Sequence, residues 1–158
     1  MATTLDKVLI NFQWRIEAID ATSTISGKRF FRFDPRDLGR TESGGLERGF
    51  FVTWLGSEPQ QAVTDQWQWV CSHRFMIEVM YAPIRGWQES HELVLSDRWD
   101  LIKALRDDSL YVGFSDDNST TDLDLIDRYF EGDGLDIEPD AEVFIYRQNW
   151  RCTVRETR

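Results

Sequence analysis

The sequence predicts an α+β domain, with a single mainly antiparallel sheet, two main helices packed on one face, and long strands and long loops. Three observations carry that expectation. Residues 67–81, WQWVCSHRFMIEVMY, place Trp67, Trp69, Cys71, His73, Phe75, Ile77, Val79 and Tyr81 at every second position, the period of a strand. Residues 142–156, EVFIYRQNWRCTVRE, alternate in the same way, with Phe144, Tyr146, Trp150, Cys152 and Val154 on one side. Two further segments, 4–19 and 91–106, repeat apolar residues at helical spacing.

The first helix follows from Leu5, Val8, Leu9, Phe12, Ile16 and Ile19, with Thr3 or Thr4 as N-cap and Asp6 in the first turn. After the punctuation TSTISGK, RFFRF (29–33) reads as a short strand stopped by Asp34-Pro35. Residues 34–47 have no apolar period and include Gly44-Gly45, which predicts a mobile loop that orders on contact with a partner. GFFVTWL (49–55) is the second strand and GSEPQQAVTDQ a loop. The long strand comes third, and three strands in series suggest an antiparallel meander. At ~3.3 Å per residue the third strand extends ~50 Å, well beyond a typical strand of ~17–20 Å, which suits a subunit that reaches its neighbours.

The second helix rests on Leu95, Trp99, Ile102 and Leu105 on one face, with Ser96 as N-cap and Asp97 in the first turn. LYVGF (110–114) reads as a short strand, and LDLIDRYF (123–130) as a short helix within an acidic insertion at about 115–141. With 158 residues, 41% of them hydrophobic, the chain is long enough for one domain, 1–158, and short for two.

The net charge of −10 is unevenly placed. From Asp107 to Glu142 thirteen acids face one base, Arg128, a local charge of −12 that leaves +2 on the remainder. Bases gather instead at Lys28, Arg29, Arg32, Arg36 and Arg40, and at Arg147, Arg151, Arg155 and Arg158. Overall acidity argues against nucleic acid as the main partner, because phosphate binding rewards positive charge on the binding face. The N-terminal stretch lacks the basic head and apolar run of a signal peptide, and no window approaches the ~20 apolar residues of a membrane span, so a soluble cytosolic product without membrane contact is expected. The two cysteines, Cys71 and Cys152, fall on apolar strand faces and are expected reduced.

No catalytic constellation is visible. Cys71 and His73 point the same way on one strand at ~6–7 Å between Cα atoms, which suits a core thiol beside a strand histidine better than an activated pair. Neither cysteine has a second at zinc-ligand spacing. Asp116, Asn118, Thr120 and Asp127 match four positions of a calcium loop, but Thr121 stands where the sharp turn requires glycine. No enzyme activity, cofactor or metal is therefore expected. Of the seven tryptophans, most lie on stripes assigned to the core; Trp87, after Gly86, is free of that duty and reads as a protein-interface anchor.

The order of LDKVLINFQWRI, HRFMIEVMY, ELVLSDRWDLIKALRD and AEVFIYRQNWRCTV, covering most of the chain, resembles the tail-terminator and tail-completion (neck) proteins of long-tailed bacteriophages. The 115–141 segment departs from the shorter connection of that family. The resemblance implies a structural virion protein in the tail and neck region, assembled in the bacterial cytoplasm. It implies a homo-oligomeric ring, commonly a hexamer, that caps the tail tube protein, meets the head-tail connector protein and lets DNA pass without specific binding. On this reading Arg32, Arg36 and Arg40 contact the tube or a neighbour. The segment bearing Asp116, Asp117, Asp122 and Asp124 lines the lumen or meets the connector, and Arg151 and Arg155 supply the opposite charge of a head-to-tail contact. A small acidic protein of the immunity or inhibitor type, binding a basic enzyme, is the alternative.

Overall fold

A computed structural model describes residues 4–19, 29–32, 48–62, 68–81, 86–106, 125–138 and 142–157. Over these residues the chain runs α1 (Thr4–Glu17), β1 (Phe31–Arg32), β2 (Gly49–Ala62), β3 (Gln68–Tyr81), α2 (Trp87–Arg106), β4 (Leu125–Glu138) and β5 (Val143–Thr157). The strands form one sheet in the order β1-β2-β3-β5-β4, and both helices contribute to a single core on one of its faces. The α+β architecture agrees with the sequence.

Alternation decides what that core contains. Phe75, Ile77, Val79 and Tyr81 of β3 and Phe144, Tyr146, Trp150, Cys152 and Val154 of β5 are buried against Val8, Phe12 and Ile16 of α1 and Val94, Leu101, Ile102 and Leu105 of α2. Register places Trp54, Phe75, Trp150 and Phe130 side by side across β2, β3, β5 and β4. The Phe12 ring lies over the middle of this row, 5.1 Å from Phe75 and 6.3 Å from Trp150, and Phe130 packs at a tilt 5.3 Å from Trp150. Truncating any of the buried rings costs ~3–5 kcal/mol by the usual cavity and transfer terms. Immediately past the row both flanking strands slip register, between Trp54 and Gly56 and between Phe130 and Gly132. Gly56 and Gly132 take φ of 127° and 148°, a backbone region that glycine enters without a Cβ penalty.

Several expectations need correction. β1 runs parallel to β2, so of the first three strands only β2 and β3 pair antiparallel. β2 continues to Ala62 through Pro59; its outer side beyond Phe50 has no partner among the described residues, and an edge tolerates a residue without an N–H. Residues 125–130 are strand, not helix, and the acidic "insertion" is in large part β4, paired along its length with β5. Long-range pairing overrides a local composition rich in Asp and Gly.

α2 begins at Trp87 rather than near Ser96, with the Ser90 N–H donating to the Gly86 carbonyl at 3.0 Å. Its buried stripe is Ser90, Val94, Asp97, Leu101 and Leu105, with Ile102 beside it, whereas Leu95 and Trp99 are 54% and 57% exposed. The helix is therefore rotated from the face that hydrophobicity selects. Trp14 and Trp54 are exposed as well, and Trp150 is the fully buried tryptophan among those whose side chains are described. The two cysteines do not form a disulfide with each other; Cys71 is in register with Val154 and Cys152 with His73, so the two are diagonal rather than opposite. Residues 110–114 lie outside the described residues.

Candidate assembly surface

What turns α2 is a buried carboxylate. Asp97, 0% exposed, accepts from Arg48 Nε at 2.8 Å, from Arg48 Nη2 at 3.1 Å, from the Tyr81 hydroxyl at 3.0 Å and from Arg29. Arg29 also donates to Asp100 Oδ2 at 2.7 Å. A buried ion needs such compensation, since leaving one uncompensated costs several kcal/mol. Arg48 sits at a φ of 63°, unusual for a residue with a Cβ. Its N–H donates to the Met80 carbonyl at 2.7 Å and its carbonyl accepts from Phe31 at 3.1 Å, so backbone and side chain together hold the conformation. Burial, and then Asp97, pushes the Tyr81 phenol well above its ordinary range. Burial alone would lower Arg29, but its hydrogen bonds to Asp97 and Asp100 outweigh this and its pKa is raised.

A second node ties α2 to the sheet. Arg98 and the Tyr146 hydroxyl both donate to Asp133 Oδ2, the latter at 2.7 Å, and Gln148 links Tyr146 to the Trp150 indole at 2.9 and 3.0 Å. At the far end Arg15 Nη1 donates to the Ala104 and Leu105 carbonyls at 3.0 and 3.3 Å, and Arg128 Nη1 donates to Leu105 at 2.6 Å. Two guanidinium groups thus meet the negative end of the α2 dipole.

The opposite face of the sheet is a charged surface. Arg147 Nε donates to Glu78 Oε1 at 2.5 Å and its other end meets Asp136. The bulge at Gly132 leaves Glu131 unpaired in the ladder, where it accepts from Arg151 Nε at 2.7 Å and lies 3.8 Å from Arg74 Nε. Among the described residues, large exposed apolar side chains cluster on α2, at Trp87, Leu95 and Trp99, with others at Trp14 on α1, Trp54 and Leu55 on β2, and Tyr129 and Ile137 on β4.

Of the residues singled out from the sequence, those that the structure describes lie apart from one another. Arg32, on β1, pairs with Glu17 of α1 at 2.5 Å and stays partly exposed. Trp87 opens α2 with its ring exposed and its edge against Phe144 at 5.7 Å. Arg151 belongs to the outer face, and Arg155 follows on β5 in register with Val70. Arg36, Arg40, Asp116, Asp117, Asp122 and Asp124 lie outside the described residues. Arg74, Glu78 and Glu131, which complete the outer face, were missed. The signal for Arg74 and Glu78 was their even-numbered place on the long strand, opposite the apolar stripe. Asp97 was placed by sequence in a first turn, and its buried role has no signature in local pattern. Among the described residues no group of three or more His, Cys, Asp or Glu could hold a metal ion.

A five-stranded, largely antiparallel sheet with both helices on one face and a charged second face defines the class of fold. That fold is shared with a chain in the virion of a native gene transfer agent particle, at a TM-score of 0.52 over 91% of each chain and 16% identity. No protein-family model matches the sequence, and no curated protein matches it significantly.

Proposed function

We propose that the chain is a structural, non-catalytic virion protein of the tail-terminator or neck type. It forms a ring, of six copies in the usual arrangement, that caps the tail tube, joins it to the head connector and lets DNA pass through its lumen. Its place is the tail and neck region of a phage-like virion, after assembly in the bacterial cytoplasm. The observation that supports this most is the fold shared with a gene transfer agent virion chain along nearly the whole of both. The two unlike surfaces add to it, because a closed ring joins one face of each subunit to a different face of the next. The charged outer face and the Trp87, Leu95 and Trp99 side of α2 are such a pair. The inhibitor-type alternative is less well supported, since Glu131, Asp133 and Asp136 each meet an arginine and do not offer a uniformly negative face.

Negative-stain microscopy with light-scattering mass tests the reading. Rings with a central hole, alone or on added tail tubes, are expected; a monomer that caps no tube overturns it. Arg36→Glu with Arg40→Glu should block capping, and normally capped tails from that double variant would count against the loop's role.

A further inference from the structure

Beside the β2 bulge, on the outer face, a cleft of about 130 Å³ opens between Gly56, Ser57, Glu58, Ser72, Arg74 and Arg151. Its walls are rich in unused donors. Glu131 engages the Nε edges of Arg151 and Arg74, which leaves the terminal nitrogens of both guanidinium groups without a partner among the described residues. Ser72 is 2% exposed, and its buried Oγ has no hydrogen-bond partner among the described residues. A buried hydroxyl in that state carries a desolvation penalty that a ligand oxygen would relieve.

Size and charge narrow what fits. Cofactor and drug-sized sites run to ~300–1,000 Å³, so this cleft takes a head group rather than a nucleotide. Two guanidinium groups and a hydroxyl suit a planar carboxylate, which arginine binds in a bidentate manner. Glu58, in register with Ser72, lines the same cleft and makes no ion pair among the described residues. It repels a free anion, so the favoured ligand is a carboxylate delivered by a docked partner at high effective concentration. The chain itself has such groups, with 28 acids against 18 bases and an exposed Glu138 at the end of the edge strand β4.

We infer that this cleft receives one aspartate or glutamate side chain from a neighbouring copy of the chain. The assignment of a neighbouring copy rests on the ring reading; the cleft's affinity for a carboxylate does not. Two measurements separate them. In the first, the labelled protein is titrated with sodium acetate against sodium chloride at constant ionic strength, following amide NMR shifts. Saturable shifts confined to Gly56, Ser57, Ser72, Arg74 and Arg151 are expected. Arg74→Gln should weaken binding at least tenfold, and Glu58→Gln should tighten it several-fold. No saturable shift, or shifts insensitive to both substitutions, overturns the site.

In the second, assembly is followed by light scattering. Ser72→Ala should raise the unfolding midpoint, by removing the orphaned hydroxyl, yet weaken association about tenfold. Wild-type rings that Ser72→Ala and Arg74→Gln leave equally stable overturn the neighbouring copy as the source, and acetate binding would then mark a free-oxyanion site. If the wild type caps tubes without forming rings, the same comparison is made on capping. Failure of the wild type to assemble in any form overturns the ring reading and the neighbouring copy together, while the titration still decides the cleft.

Discussion

Asp97 and Asp136 are both aspartates beside arginine, on opposite faces of one sheet. Asp97 is wholly enclosed, with two guanidinium groups and a phenol around it, whereas Asp136 is 63% exposed and shares Arg147 with Glu78. In the first setting the low local dielectric makes every missing partner expensive; in the second, water replaces a lost partner at little cost. The covered face therefore uses charge to fasten α2 in one rotation. The outer face holds charges that can exchange one partner for another, which is what a surface needs if it is to meet a second protein.

Substitutions can break or sharpen this contrast. The largest effect belongs to Asp97→Ala, which strands Arg29 and Arg48 in partial burial; a loss of ~3–5 kcal/mol is expected by urea unfolding. A loss under ~1 kcal/mol would mean that the buried charge does not fasten the helix. Asp136→Asn on the outer face should cost ~1 kcal/mol or less, with the difference from wild type shrinking as salt is raised. Should it match Asp97→Ala, the two faces would not differ as argued.

Asp100, between Arg29 and Lys103, gives a smaller and pH-dependent effect. Burial opposes ionisation, but the hydrogen bonds from Arg29 and then Lys103 prevail and lower its pKa below the ordinary 3.8. A depressed carboxylate contributes stability that is present above its unfolded pKa and lost as pH falls through the folded one. Chemical unfolding of wild type and Asp100→Asn should thus differ at neutral pH and converge below about pH 3.8. A gap that persists or widens in acid would contradict the sign. The smallest effect expected is for Leu95→Glu with Trp99→Glu, within ~0.5 kcal/mol in the isolated chain, because both side chains point to water. Val94→Glu, one residue away, should unfold it.

That last pair shows where sequence reasoning succeeds and fails. α1, β3 and β5 were legible because their buried residues are apolar and keep the period of their element, as in Val8, Phe12 and Ile16 or Phe75, Ile77 and Val79. α2 misled because its buried stripe includes Ser90 and Asp97 while Leu95 and Trp99 stand outside. Asp97 is tolerable only with Arg29, Arg48 and Tyr81, residues 16 to 68 positions away that no local window can see. β4 was obscured for a related reason: its partner β5 follows it, and Glu131, Gly132, Asp133 and Gly134 carry no strand preference of their own. Of the candidate surface, Trp87 and Arg151 were legible from exposure and charge, while the cleft depends on a bulge that pairing alone creates.

Arg29 and Arg48 reach the same carboxylate from either side of residues 33–47. The take-off and landing points of that stretch are thus pinned independently of its own composition. Closing a longer excursion between fixed ends costs only ~0.6 kcal/mol for each doubling of length. Substitution there should therefore leave the sheet intact, so that a change in assembly caused by Arg36→Glu and Arg40→Glu can be read apart from any loss of fold.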